Sequence, residues 1–244
     1  MKNWTKVGMT LKVLAIGCHP DDIEISCAGT LAKYKKLGHD VILCHVANGN
    51  KGHLIIPTED LRDIRKNEAI SSGKVIDAEV ISLDMPDLEI YGDDKRARDT
   101  VVDVIRYVKP DIIITHYPDD YMPDHVAVSK LVFDASFSAS VPYYKTSHEA
   151  HTLNTPIYYM DTLAGIRFNP EDYVDITETM ELKLQMLNQH QSQMKWLLEH
   201  DNIDLSEFVT AGSRFRGLQC GVKYAEGFIP CRVWGKVRTG HLLP

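Results

Sequence analysis

Short apolar, β-branched runs alternate with amphipathic stretches over the first two thirds of the chain, and this alternation predicts an α/β fold with a parallel sheet flanked by helices. Two further observations support it. The runs are continuous rather than polar at every second residue, as in strands buried on both faces. Glycine or proline stands where the intervening helices should stop. At 244 residues the chain suits one large α/β unit, so residues 1–244 are read as a single domain.

Val13–Gly17 is the first strand by its unbroken apolar character, and Pro20 bends the chain just after it. Thr30–Leu37 is helical in composition, with Gly38 placed as a C′ glycine. Val41–Val46, Val80–Leu83, Ile112–Thr115 and Ile157–Met160 are the next strands. Thr58–Ser71, Lys95–Val108 and His125–Ser138 fill the gaps as helices, Gly73 closing the first and Pro110 following the second. This order gives a Rossmann-like, doubly wound sheet. Thr177–His200 reads as one long helix, because Met180, Leu184, Leu187, Met194 and Leu198 recur at helical spacing. Ser206–Pro244 mixes glycines, among them Gly212, Gly217, Gly221, Gly227 and Gly235, with aromatic residues, and no element is assigned there.

Composition narrows the function. A hydrophobic fraction of 44% and a charged fraction of 25% are those of an ordinary folded domain. The net charge of −7 provides no basic stripe for phosphates, which disfavours nucleic acid as partner. No apolar run approaches membrane-spanning length, and Met1 to Thr10 lacks the apolar core of a signal peptide, so a cytoplasmic location without membrane attachment is expected. Five scattered cysteines without a CxxC pair fit free thiols in a reducing compartment.

The chemistry concentrates at strand ends. His19-Pro20-Asp21-Asp22 follows the first strand, and Tyr117–His125 follows the fourth. In an open α/β sheet, ligands collect beyond the carboxyl ends of the strands. His19 and Asp22 suit one borderline cation and leave Asp21 as a base, while His125 is the best third ligand for a catalytic set that keeps one position for water. Taken singly, the first run also reads as a turn whose Asp caps a helix, and the second as a helix start with Asp124 at the N-cap. Capping alone, however, gives no reason for two histidines at the ends of two strands. No GxGxxG follows the first strand, which argues against a dinucleotide.

The ordered set of HPDD after an apolar strand and Pro123-Asp124-His125 later resembles the PIG-L/LmbE-like N-acetylglucosaminyl deacetylases. Arg65 and Glu68 in Ile64–Ala69 resemble that family's IRxxEA helix, Met85-Pro86-Asp87 its loop after the third strand, and Gly221–Phe228 its C-terminal segment. The resemblance implies a Zn²⁺ held by His19, Asp22 and His125, with Fe²⁺ an alternative at a His₂Asp set. It makes Asp21 the general base for hydrolysis of an acetyl or related small acyl group on the nitrogen of an amino sugar, a small-molecule partner. It also extends to this chain the homo-oligomers that relatives often form.

Most members carry a histidine where this chain has Met122, and a thioether cannot donate a hydrogen bond to an oxyanion. His116, His53 and Tyr121 are candidates for that role, although His116 equally suits a structural hydrogen bond. Arg65 is a candidate substrate contact or a partner of Glu68, and Asp87 a sugar-hydroxyl acceptor or a turn residue. Asp124 suits orienting or capping. The patch His190-Gln191-Ser192-Gln193 either faces the site or forms a polar helix face, and Gly49 and Gly52 permit a close approach or simply make a turn. Two other readings stand beside deacetylation: amidase action on a larger N-acyl or sugar–thiol conjugate, and a non-catalytic, metal-containing carbohydrate-binding protein.

Overall fold

In the computed structural model, residues 10–240 and 242–244 are described, so all but the last residue of the Met1–Thr10 segment lies outside the described residues. Among these residues seven strands form one sheet: β1 (Lys12–Gly17), β2 (Asp40–Ala47), β3 (Glu79–Met85), β4 (Ile112–Thr115), β5 (Ile157–Met160), β6 (Asp172–Asp175) and β7 (Ala225–Pro230). Their spatial order is β3-β2-β1-β4-β5-β7-β6. The first five pair in parallel, and β7 runs antiparallel to both β5 and β6.

The strand β1 explains the continuous apolar runs. It lies between β2 and β4, and its successive residues point to opposite layers. Val13 and Ala15 enter a core shared with Leu31 and Met186, whereas Leu14 and Ile16 enter the one built with Val101, Ile105 and Leu131. From β1 the chain crosses to β2 on one side, and only later reaches β4 on the other. The crevice between β1 and β4 is thus the topological switch point, where an open sheet binds its ligand.

The helices are α1 (Asp22–Ser26), α2 (Ala28–Lys36), α3 (Thr58–Val75), α4 (Lys95–Val108), α5 (Pro123–Ser138), α6 (Met180–Leu187), α7 (Gln191–Asp201) and α8 (Leu205–Cys220). Gly38 follows α2 with φ +83°, the left-handed conformation expected of a C′ glycine. Gly73 does not end α3, which continues to Val75. A Cβ there would come 2.3 Å from Val80 Cγ2, so its use is close packing of helix on strand.

Two further readings need correction. The expected helix over Thr177–His200 is two helices, α6 and α7, broken at residues 188–190. The apolar stripe continues in step across the break, which is why periodicity misses it. Just after the break the Glu68 carboxylate accepts from Ser192 N and Ser192 Oγ, both at 2.7 Å, and satisfies the first turn of α7. The unassigned C-terminal stretch contains α8 and β7. Asp204 caps α8 by accepting from Ser206 N at 2.9 Å and Glu207 N at 3.1 Å, and Gly221 closes it at φ +81°. Among the described residues no helix is long and apolar enough to cross a membrane.

Candidate active site

The loop after β1 begins with a strained turn. Asp21 has φ +119°, and Asp22 starts α1 directly behind it. The loop after β4 ends where Pro123 opens α5, with Met122 in the N-cap position and no side chain capping it. Asp124 therefore does not cap. Both loops border one cavity of about 670 Å³, within the range of small-molecule sites. His19, Asp21, Asp22, Met122, Asp124 and His125 are among its lining residues.

Asp22 is the hub. His19 Nδ1 lies 3.4 Å from Asp22 Oδ2, and His125 Nε2 lies 3.3 Å from Asp22 Oδ1. His116 Nε2 is also 3.4 Å from Asp22 Oδ2, and its ring stacks on that of His125 at 4.0 Å. Two groups of donor atoms lie close enough to share a cation, Asp22 with His116 and His125, and Cys18 with His19 and Asp22. The expected set of His19, Asp22 and His125 is thus divided between two groups that meet at Asp22.

Each histidine has its own positioning partner. The His125 Nδ1–H donates to Asp120 Oδ2 at 3.1 Å, and His125 Nε2 has no hydrogen-bond partner although buried. Sequence adjacency points to Asp124 as the carboxylate that orients His125, yet Asp120, five residues before it in the same loop, fills that place. Asp124 instead meets His19 Nε2 at 3.3 Å and accepts from Leu88 N at 2.8 Å. His116 Nε2 accepts from Cys18 N at 2.8 Å, and His116 is not among the residues lining the cavity. Its place is behind the site, not against a substrate.

The charges fit a cation. Burial works against a charged His125, but the Asp22 carboxylate and then Asp120 override it and lift its pKa to about 9. Burial likewise opposes ionisation of Asp22, yet the adjacent imidazoles, His125 foremost, hold its carboxyl well below the usual range. A buried carboxylate ringed by imidazoles, one with an unpartnered Nε2, is a donor set for a divalent ion.

Asp21 behaves differently. Burial pushes its pKa up to about 6, and the Arg65 guanidinium opposes that rise. Arg65 Nη2 lies 3.2 Å from Asp21 Oδ2, while Arg65 also donates to Pro20 O at 2.5 Å and Gly49 O at 3.2 Å. Arg65 is buried and committed to holding Asp21, and it makes no pair with Glu68. Gly49 and Gly52 allow this: a Cβ at either would come within 2.7 Å of the guanidinium, and Gly49 has φ +76°. Asp87 is similarly engaged, accepting from Gly49 N at 2.8 Å and Lys51 N at 3.0 Å, so it pins the loop over Arg65 while lining the cavity.

Behind Asp21 lies a polar layer that sequence reasoning missed. Glu24 accepts from Ser72 Oγ at 2.5 Å and lies 3.4 Å from His190 Nε2, all three side chains being buried. Burial opposes the Glu24 charge, but His190 outweighs it and takes its pKa to about 2. The patch at 190–193 divides its tasks: His190 faces Glu24, Ser192 meets Glu68, and Gln193 lines the cavity while donating to Gly52 O at 3.1 Å. His53 is not among the lining residues and packs on Trp196 at 4.7 Å. Of the three candidates for the role absent at Met122, Tyr121 alone lines the cavity.

The family model for GlcNAc-PI de-N-acetylases (PIG-L) matches residues 14–136. Diacetylchitobiose deacetylase of Thermococcus kodakarensis is 28% identical over 90% of this chain and 83% of its own length. A probable N-acetyl-α-D-glucosaminyl L-malate deacetylase of Bacillus subtilis is 27% identical over 76% of this chain and 85% of its own. Among solved structures, N,N'-diacetylchitobiose deacetylase from Pyrococcus horikoshii superposes with a TM-score of 0.79 at 26% identity, covering 90% of this chain and 83% of that one. The 4-carboxy-2-hydroxymuconate hydratase of Pseudomonas putida KT2440 superposes with a TM-score of 0.80 at 22% identity, covering 96% and 100% respectively, which is a likeness of fold.

Proposed function

The chain belongs to the GlcNAc-PI de-N-acetylase (PIG-L) family, and from that premise we propose that it is a metal-dependent hydrolase removing an acetyl or related small acyl group from the nitrogen of an amino sugar. One observation carries the reading. A carboxylate outside both groups of possible metal donors, Asp21, is held by Arg65 beside a carboxylate–imidazole cluster in the same cavity.

Asp22 and His125 are the firmest ligands, and His19 completes the set better than His116. The His116 Nε2 lone pair already receives the Cys18 amide, whereas His19 lines the cavity. Zn²⁺, or Fe²⁺ at the same donors, would supply Lewis acidity, acidifying a water and polarising an amide carbonyl. Asp21 takes the proton of the attacking water and returns it to the departing nitrogen. Arg65 keeps that carboxylate oriented and favours its charged form. Asp120 and Asp124 fix the rings of His125 and His19. Met122 offers no donor to the developing oxyanion, and Tyr121, which lines the cavity with its ring 6.5 Å from that of His125, carries a hydroxyl that can take the role.

The cavity's charge favours an amide over a polyanion such as the substrate of the hydratase that shares this fold. Asp21, Asp22, Asp87, Asp119, Asp120 and Asp124 line it. Its cations are engaged: Lys51 with Glu89 at 2.8 Å, Arg65 with Asp21 at 3.2 Å and Arg167 with Asp119 at 3.0 Å. A neutral amide enters such a site without penalty, and the amine product is stabilised as a cation.

The test is acetate release from N-acetylglucosamine and its disaccharide, before and after chelation and with Zn²⁺ restored. Activity should follow the metal, and Asp21→Asn should lower kcat by about 10²–10⁴. Release that persists without metal, or in Asp21→Asn, overturns the mechanism.

A further inference from the structure

Beside its polar floor the cavity has a set of apolar lining residues that form a wall. Leu163 and Ile166 come from the turn after β5, Leu197 from α7, Ile203 from the α7–α8 connection, and Leu205 and Phe208 from the first turn of α8. The mouth has the same character, for Leu88, Tyr121 and Ile166 are 64%, 68% and 66% exposed although all three line the cavity. A second cavity of about 270 Å³ adjoins behind Leu163 and Phe208, sharing both residues with Ile25, Thr162 and Ala164.

Contiguous exposed apolar surface marks an interaction site, and a hexose ring with its hydroxyls has little use for one. Nor is the lining rich in free hydrogen-bond donors for a second sugar. Lys51, Arg65, Arg167 and Gln193 already bond within the chain. The wall is continuous with the Asp21–Asp22–His125 floor, so its occupant is part of the same molecule that reacts there. Resting on the deacetylase reading, we propose that this wall binds an alkyl or aryl group of the substrate, carried either on the glycosidic oxygen or as a longer N-acyl chain, so that the preferred substrate is an amphipathic amino-sugar conjugate.

The test uses the full chain loaded with Zn²⁺. Methyl and hexyl β-D-glucosides contain no amide, and their affinities measured by calorimetry report the wall independently of turnover. The hexyl glucoside should bind about 10–100-fold tighter, a factor that partial burial of its added methylenes supplies. Equal affinities remove the glycosidic side, and equal affinities together with no gain from N-acetyl- to N-hexanoylglucosamine overturn the subsite. Hydrolysis then separates the sources. A rise in kcat/KM from methyl to hexyl glycosides of N-acetylglucosamine places the group on the glycosidic side, and a rise from N-acetyl- to N-hexanoylglucosamine places it on the acyl side. Hydrolysis of all four without either rise overturns the proposal. Ile166→Ser and Ile203→Ser alter exposed positions and should reduce the hexyl preference at least ~3-fold, whereas an unchanged preference overturns the assignment of the wall. Tight hexyl binding with no hydrolysis of any amide would leave the subsite standing and defeat the deacetylase reading.

Discussion

Replacing Glu226 by glutamine should destabilise the fold far more than a one-atom change suggests. Glu226 lies on β7 and its side chain is 2% exposed; its Oε1 accepts from Lys183 Nζ at 2.5 Å and from Gly29 N at 2.9 Å. Its Oε2 accepts from Thr30 N at 2.7 Å, so one carboxylate holds the first turn of α2 and the Lys183 cation of α6. Lys183 in turn donates to Ile25 O at 2.8 Å, in the helix that begins with Asp22. The glutamine keeps one acceptor but turns an NH₂ toward an N–H donor, and it leaves a buried cation without its counter-charge. Breaking a buried ion pair by removing one partner costs about 3–5 kcal/mol. The amide left unsatisfied is worth ~1–3 kcal/mol, but on overlapping atoms, so the two figures do not add. About 3–5 kcal/mol is a large part of the ~5–15 kcal/mol that holds a typical domain together. Urea unfolding followed by tryptophan fluorescence should show the midpoint falling by roughly 1–2 M at a slope of about 2–3 kcal/mol/M. Adding Lys183→Met removes the stranded cation, so the double variant should lose less than the sum of the single losses, by at least ~1 kcal/mol. A loss below about 1 kcal/mol in Glu226→Gln, or strict additivity in the cycle, would refute the account of this pair as a strut for α1 and α2.

Three further perturbations address the site's supports. Asp120→Asn keeps the size but weakens the hold on His125, and Zn²⁺ affinity measured against a competing chelator should fall about 10–100-fold; unchanged affinity would remove Asp120 from its positioning role. Gly49→Ala forces a methyl to within 2.6 Å of the Arg65 guanidinium at φ +76° and should cost at least ~1–2 kcal/mol in thermal or urea unfolding. Gly212→Ala, inside α8 with no atom within 4 Å of the added carbon, should stabilise by about 1 kcal/mol, and similar shifts for both variants would show that steric room at Arg65 is not what Gly49 provides. Glu68→Ala removes the acceptor at the start of α7 and should cost ~1–2 kcal/mol, with faster amide exchange at Ser192; unaltered exchange there would mean that Glu68 does not hold the first turn of α7.

The strands that build the site were legible because they lie inside the sheet. Residues Val13–Gly17 and Ile112–Thr115 are buried on both faces, which leaves an unbroken apolar run in the sequence. The elements that escaped reading have ambiguous local signals. Residues Asp172–Asp175 form an edge strand half of whose residues are aspartate, and the helix α8 carries glycines at 212 and 217. Gly217 is required there because a Cβ would come 2.7 Å from Val222 O, so a glycine that looks like a breaker is a packing residue. The residue types at the site were readable too, but not their pairings. Sequence spacing places Asp124 next to His125, yet α5 turns Asp124 toward His19 and leaves Asp120 to reach back to His125. Arg65 and Asp87 looked like hands for a substrate, and the fold uses both within the chain, on Asp21 and on the loop above it.

Those internal pairings give the Met122 position a different meaning. His19, Asp21 and His125 each have a charged partner that fixes their orientation, so the floor of the cavity is built as a rigid polar cluster. A histidine at 122 would need such a partner as well, and Asp120 and Asp124 are already engaged by His125 and His19. Methionine needs none. It lines the cavity together with Leu88, Tyr121, Leu163 and Phe208, and so adds to the apolar surface around the polar floor. Methionine at this position therefore withholds a donor and extends the apolar rim at once. On the deacetylase reading, an amphipathic substrate that presses water out of the cavity would strengthen the remaining electrostatic contacts to the developing oxyanion.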